Sequence, residues 1–147
     1  MALGDVSVED AESLARMILV EKHLRKNPLT GEVTAKADAF LPHSRVELSV
    51  IRHREITETE LWAIGREVSA QREASDLFGR KFPLLGRGDF LASDARAQNL
   101  DVVPAEGPTL PRNHADIIGW PPEKPAQLRH AVRIAAASTF VAAPAAV

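Results

Sequence analysis

Arg45-Val46-Glu47-Leu48-Ser49-Val50-Ile51-Arg52-His53-Arg54 carries the cleanest period in the chain. Val46, Leu48 and Val50 alternate with Arg45, Glu47, Ser49 and Ile51, the spacing of a strand whose successive side chains point to opposite faces. A strand of this kind predicts a sheet with one face on a core and one mostly polar face. The polar face is the first place to look for function, so Arg45, Glu47, Ser49, Arg52, His53 and Arg54 are candidate binding residues.

Before this stretch, Val33, Ala35, Ala37 and Ala39 alternate with Glu32, Thr34, Lys36 and Asp38, which predicts a strand over residues 32–40. Leu41-Pro42-His43-Ser44 is a short, turn-favouring connection, so residues 32–40 and 45–52 are expected to pair as a hairpin. Further upstream, Ser7-Val8-Glu9-Asp10 resembles a helix-capping box. Val8, Ala11, Leu14, Ala15, Ile18 and Leu19 follow at helical spacing, acids lead and bases trail, and Asn27-Pro28 closes the run. That pattern predicts a first helix through about residue 26.

Downstream, Thr57-Glu58-Thr59-Glu60 is a full capping box, and Leu61, Ile64, Gly65 and Val68 form the stripe of a helix reaching residues 72–74. Residues 76–89 hold three glycines and a proline among apolar anchors and read as an ordered loop. Ser93-Asp94 caps a short helix, residues 100–103 make a strand stopped by Pro104, and residues 114–120 make another, broken by Pro121-Pro122. The last helix covers residues 123–137, with Leu128, Ala131, Val132, Ala135 and Ala136 as its buried stripe. Phe140 and Val141 extend it or begin a last strand, and residues 142–147 form a frayed Ala/Pro tail.

This order leaves little room for βαβ units. It predicts one α+β domain over residues 1–147, with an antiparallel or mixed sheet of about four strands and helices packed mainly on one face.

Composition narrows the function classes. The 147 residues are 45% hydrophobic and 26% charged, with a formal net charge of −2, so no strongly basic surface points to nucleic acid. Cysteine is absent, which removes disulfides, thiolate metal sites and Cys nucleophiles and fits a reducing compartment. The acidic start lacks a basic n-region and an apolar h-region, and no run approaches the roughly 18 apolar residues of a membrane span. The expectation is a soluble, cytoplasmic protein with no membrane partner.

His114 and Asp116 stand two residues apart on one side of their strand. If that side meets the Glu47, Ser49 and His53 side of the other strand, they assemble a polar surface fit for acid–base work or phosphate handling. His114 and Asp116 are therefore the candidate catalytic pair. The competing reading is a solvated sheet face. Leu85-Gly86-Arg87-Gly88-Asp89-Phe90 is glycine-rich and carries Arg87, a further candidate for an anion, although the Walker ending and the dinucleotide fingerprint are both missing and a structural turn competes with it. No ligand set marks a metal and no motif implies a cofactor. Arg52, His53 and Arg54 form the densest basic cluster, but the chain has no Tyr and only 5% aromatics to stack on bases. His-Ala-Asp-Ile-Ile-Gly-Trp-Pro at residues 114–121 is similar to segments of small bacterial proteins, a resemblance that implies no activity.

Every catalytic pattern is incomplete, which favours a binding or accessory module engaging a protein partner or a second copy of itself. The alternatives are a hydrolase or nuclease acting on a phosphate-containing substrate through His114, with Asp116 as orienter and Arg52 or Arg87 on the phosphate, and weak nucleic-acid binding through residues 52–54.

Overall fold

The computed structural model describes residues 6–43 and 46–145. The chain is α+β, with β1 Ser13–Ile18, β2 Leu24–Lys26, β3 Val33–Ala35, β4 Leu48–Arg52, α1 Glu58–Ser75, β5 Gly86–Leu91, α2 Ala92–Arg96, β6 Asp101–Pro104, β7 His114–Ile118, α3 Lys124–Ala137 and β8 Thr139–Ala142. Six strands, not the expected four or so, form one antiparallel sheet in the order β6-β7-β4-β1-β5-β8, and β2 pairs with β3 in a separate two-stranded ribbon.

The first helix expected from the sequence is instead β1, a 3-10 turn and β2. The reason is visible in the burial of β1. Leu14 and Ile18 enter one core while Ala15 and Met17 enter the other, so the strand is apolar on both faces. A strand buried on both sides loses its alternation, and a short apolar run then resembles a helix stripe.

The expected hairpin is also replaced. Residues 33–35 pair with β2 across the Thr30-Gly31 turn, and a 3-10 turn at Ala37–Phe40 ends the segment. β4 sits centrally, between β1 and β7. The expected loop over residues 76–89 ends in a strand, because Gly86 and Gly88 belong to β5 in the sheet interior. These glycines serve packing. A Cβ at Gly88 would stand 2.7 Å from Phe40 Cζ, and one at Gly86 would stand 2.6 Å from the Phe140 ring. Two aromatic rings lie directly on this backbone, and only glycine lets them.

The helices cover both faces of the sheet, which corrects the single-sided expectation. α1 packs Leu61 and Ile64 onto Ala15, Met17 and Ile51. α2 and α3 bring Ala92, Ala95, Ala131 and Ile134 to the other face, over Leu14, Leu48, Val50, Phe90, Ala115 and Ile117. The capping box at Thr57 is formed, with its hydroxyl accepting from the Glu60 N–H. Gly65 lets Leu84 and Met17 close onto α1. The stripe of α3 is rotated from its expected position: Gln127, Ala131 and Ile134 are buried, while Leu128 and Val132 are 43% and 51% exposed. The tail is tied further than expected, since Ala142 closes β8 and the Ala143 N–H donates to the Leu85 carbonyl.

Candidate functional site

The α1 side of the sheet has an apolar centre and two polar flanks. Register sets this up. Ser49 pairs with Asp116 and Ile51 with His114 across β4 and β7, while Ala15 pairs with Asp89 and Met17 with Arg87 across β1 and β5. The side of β4 that carries Ser49 therefore does meet the His114–Asp116 side of β7, next to Ile51.

On the β7 flank a cleft of about 200 Å³ opens between the sheet, α1 and residues 105–113. His114, Ser49, Arg16, Ile51 and Met17 line the sheet side, Val68 and Gln71 come from α1, and Leu110 and Pro111 form the overhanging loop. Arg112 ties that loop to α1 by donating to Glu60 at 2.8 Å. Asn113 anchors its end, with the side-chain amide donating to the carbonyls of Arg52 and Arg54. The positive φ of Asn113, 62°, is one that Asn tolerates better than most residues. Asn113 thereby determines where His114 enters the sheet, a role the sequence does not announce.

His114 is only 5% exposed. Its Nδ1 lies 2.9 Å from the Ala105 carbonyl, which can only accept, so Nδ1 carries a proton. Nε2 then faces Asp116 Oδ1 at 3.7 Å, beyond hydrogen-bond reach. That carboxylate oxygen is buried and has no hydrogen-bond partner among the described residues. Burial pushes the Asp116 carboxyl above the usual range; His114 pulls it back, and Glu47 raises it again. His114 and Asp116 thus face one another across a 3.7 Å gap inside the sheet.

Arg16 lies on β1 where that strand splays from β4. The β1–β4 ladder holds only Leu14↔Arg52 and Ala15↔Ile51, although β1 continues to Ile18. The Arg16 guanidinium bridges the gap, with Nε donating to the Ala39 carbonyl at 2.9 Å and Nη1 to the Ser49 carbonyl at 3.0 Å. Burial, reinforced by the Arg72 charge, takes Arg16 down to about 10. Arg16 falls inside the helix that the sequence predicts, which hides its signal. Read as a strand residue between Leu14-Ala15 and Met17-Ile18, a lone Arg in an apolar run signals a buried cation.

The β5 flank is arranged differently. Arg87 is 3% exposed and donates to both Glu58 oxygens, at 2.8 and 2.6 Å, and to Asp89 at 3.0 and 3.1 Å. Its guanidinium also stacks over Trp62, 4.7 Å from the ring centroid. Burial works against its charge, but Glu58 and Asp89 raise it, and Arg87 in turn holds Glu58 below the usual carboxylate range. His53 Nε2 approaches Asp89 at 3.2 Å. Arg87 thus has internal partners and lies on a strand, where the sequence reading set a loop.

Arg52 is equally committed. It is 1% exposed, on the opposite face with Val50, and holds Glu12 through two hydrogen bonds and the carbonyls of Val6 and Ser7 through two more. The expected basic cluster therefore does not form: Arg52 points inward, His53 turns to Asp89, and the half-buried Arg54 lines a shallow hollow with Glu9 and Glu12. Glu47 faces His43 at 3.6 Å, and Arg45 lies outside the described residues.

Among the described residues, no three His, Asp or Glu side chains converge as metal ligands, and no helix is long and apolar enough to cross a membrane. No family model, curated protein or solved structure matches the chain.

Proposed function

We propose that this protein is a binding module whose ligand is a small molecule held in the cleft between α1, the centre of the sheet and residues 105–113. The observation that supports this reading most is the composition of the cleft. Apolar walls from Met17, Ile51, Val68, Leu110 and Pro111 surround a few convergent polar groups from Arg16, Ser49 and His114. Binding sites for small molecules are built this way, mostly apolar with sparse polar groups that orient the ligand. The size is suitable, since a cavity on the order of 150 Å³ holds a benzene ring. A fragment screen by amide chemical-shift mapping tests it. Hits are expected to move the resonances of Val68, Leu110 and His114, and Val68→Trp, which fills the cleft, is expected to abolish them. A screen with no perturbation in this region would remove the proposal.

A second reading is favoured by the orphaned Asp116 oxygen and its raised pKa, since perturbed carboxyls gather at functional sites. In a hydrolase acting on a phosphate-containing substrate, His114 would carry the proton and Asp116 would orient it. Cleavage of an activated phosphodiester that His114→Gln abolishes would support this reading. Equal rates in both proteins would eliminate it. Nucleic-acid binding through residues 52–54 loses its main support, because Arg52 is enclosed and engaged by Glu12. A role for a protein partner or a second copy is supported by exposed apolar side chains such as Leu128 and Val132, which face outward one turn apart on α3.

A further inference from the structure

We infer that the cleft selects small monocarboxylic acids with an apolar body, and that Arg16 is the residue that receives the carboxylate. The inference rests on the small-ligand reading of the cleft and specifies its chemistry.

Three observations carry it. First, Arg16 lines the cleft as a cation with no anionic partner. Its two hydrogen bonds go to the neutral carbonyls of Ala39 and Ser49, and no carboxylate of the described residues reaches it. A guanidinium offers five N–H donors. Two are used, so up to three remain, on Nη1 and Nη2, for an acceptor that arrives from outside. Second, the charge that acts on it, Arg72 on α1, has the same sign, and burial and Arg72 both weigh against the Arg16 charge. A part-buried cation beside a like charge is costly unless something compensates it. Arg52 and Arg87, by contrast, are each given carboxylates by the fold. Third, the surroundings set the size and charge of the guest. One guanidinium suits one carboxylate, which it can bind through two parallel N–H···O bonds. Among the described residues that line the cleft, Arg16 is the one Arg or Lys, set among Met17, Ile51, Val68 and Leu110, which favours a singly charged carboxylate over a doubly charged phosphate.

Benzoate and its neutral isostere benzamide are suitable probes, titrated at low ionic strength with chemical shifts as readout. Benzoate is expected to bind the wild-type protein at least tenfold more tightly than benzamide, moving the Val68, Leu110 and His114 resonances. Arg16→Met is expected to reduce benzoate affinity to the benzamide level. Arg16→Lys, which keeps the charge and loses the fork, is expected to fall between. Equal binding of benzoate and benzamide, or undiminished benzoate binding in Arg16→Met, would overturn the role of Arg16 while leaving the cleft as a ligand site. Failure of both probes, and of the wider fragment screen, would overturn the cleft reading itself. Tighter binding of inorganic phosphate than of benzoate would overturn the ligand class. Should Arg16→Met not fold, the benzoate-to-benzamide ratio and the Arg16→Lys titration still decide the matter.

Discussion

The two polar flanks of the sheet hold the same kinds of residue and treat charge in opposite ways. On the β5 flank, Arg87 meets Glu58 and Asp89, His53 closes on Asp89, and Trp62 covers the guanidinium. Donors and acceptors there satisfy one another. On the β7 flank, among the described residues, Arg16 donates only to carbonyls, Asp116 Oδ1 has no hydrogen-bond partner and faces His114 at 3.7 Å, and a cleft stands open beside them. A basic residue in a fold is paired or unpaired according to what faces it, and the sequence neighbourhood of Arg87, Gly-Arg-Gly-Asp, does not reveal that its guanidinium is taken up by Glu58 and Asp89.

Mutations can break this comparison or sharpen it. The largest effect is expected at Arg52, the most enclosed of the committed cations. Arg52→Met strands Glu12, itself only 7% exposed, and is expected to cost about 3–5 kcal/mol in urea denaturation. Arg87→Met should cost less, about 2 kcal/mol, because Glu58 is largely exposed and can rehydrate while Asp89 keeps His53. If either variant were neutral, the description of these cations as structural pins would fail.

The open flank should behave in the reverse sense. The Asp116 carboxyl is raised, so the folded chain retains a proton that the unfolded chain releases near pH 4. Stability therefore falls as pH rises through that window and stays lower above it. Asp116→Asn removes this penalty. It is expected to gain about 1 kcal/mol near pH 7 and nothing below about pH 3, read from paired melts across pH. A variant destabilised at neutral pH would show that the Asp116 charge is needed for folding. The smallest effect is expected at Arg16. Arg16→Met gives up two hydrogen bonds to carbonyls but also relieves an uncompensated cation, so the net change should stay within about 1 kcal/mol. A loss as large as that of Arg52→Met would erase the distinction between the flanks.

Much of the second half of the chain was legible. The Thr57 capping box, the stop at Pro104 and the strand–Pro-Pro–helix passage at residues 114–137 are local signals, and α1, β6, β7 and α3 formed where those signals stood. The first half misled for a physical reason. β1 is the strand covered most evenly on both faces, and two-sided burial erases the period-2 pattern on which strand recognition depends. β5 was hidden similarly, because Gly86 and Gly88 make room for Phe140 and Phe40, residues remote in sequence. Of the candidate site, His114, Asp116 and Ser49 were legible as residues sharing strand faces. Their meeting was not, because it depends on β4 pairing with β7, across a separation of some sixty residues.

By itself, then, the sequence determined the α+β class, the local caps and breaks, and the central place of the stretch around Leu48–Arg52. Those properties rest on interactions within a few residues. Only the tertiary structure decided which buried arginines are paired with carboxylates. Whether a guanidinium finds a carboxylate depends on contacts such as Arg52 with Glu12 and Arg87 with Glu58, made across forty and twenty-nine residues of chain. No local pattern records such contacts.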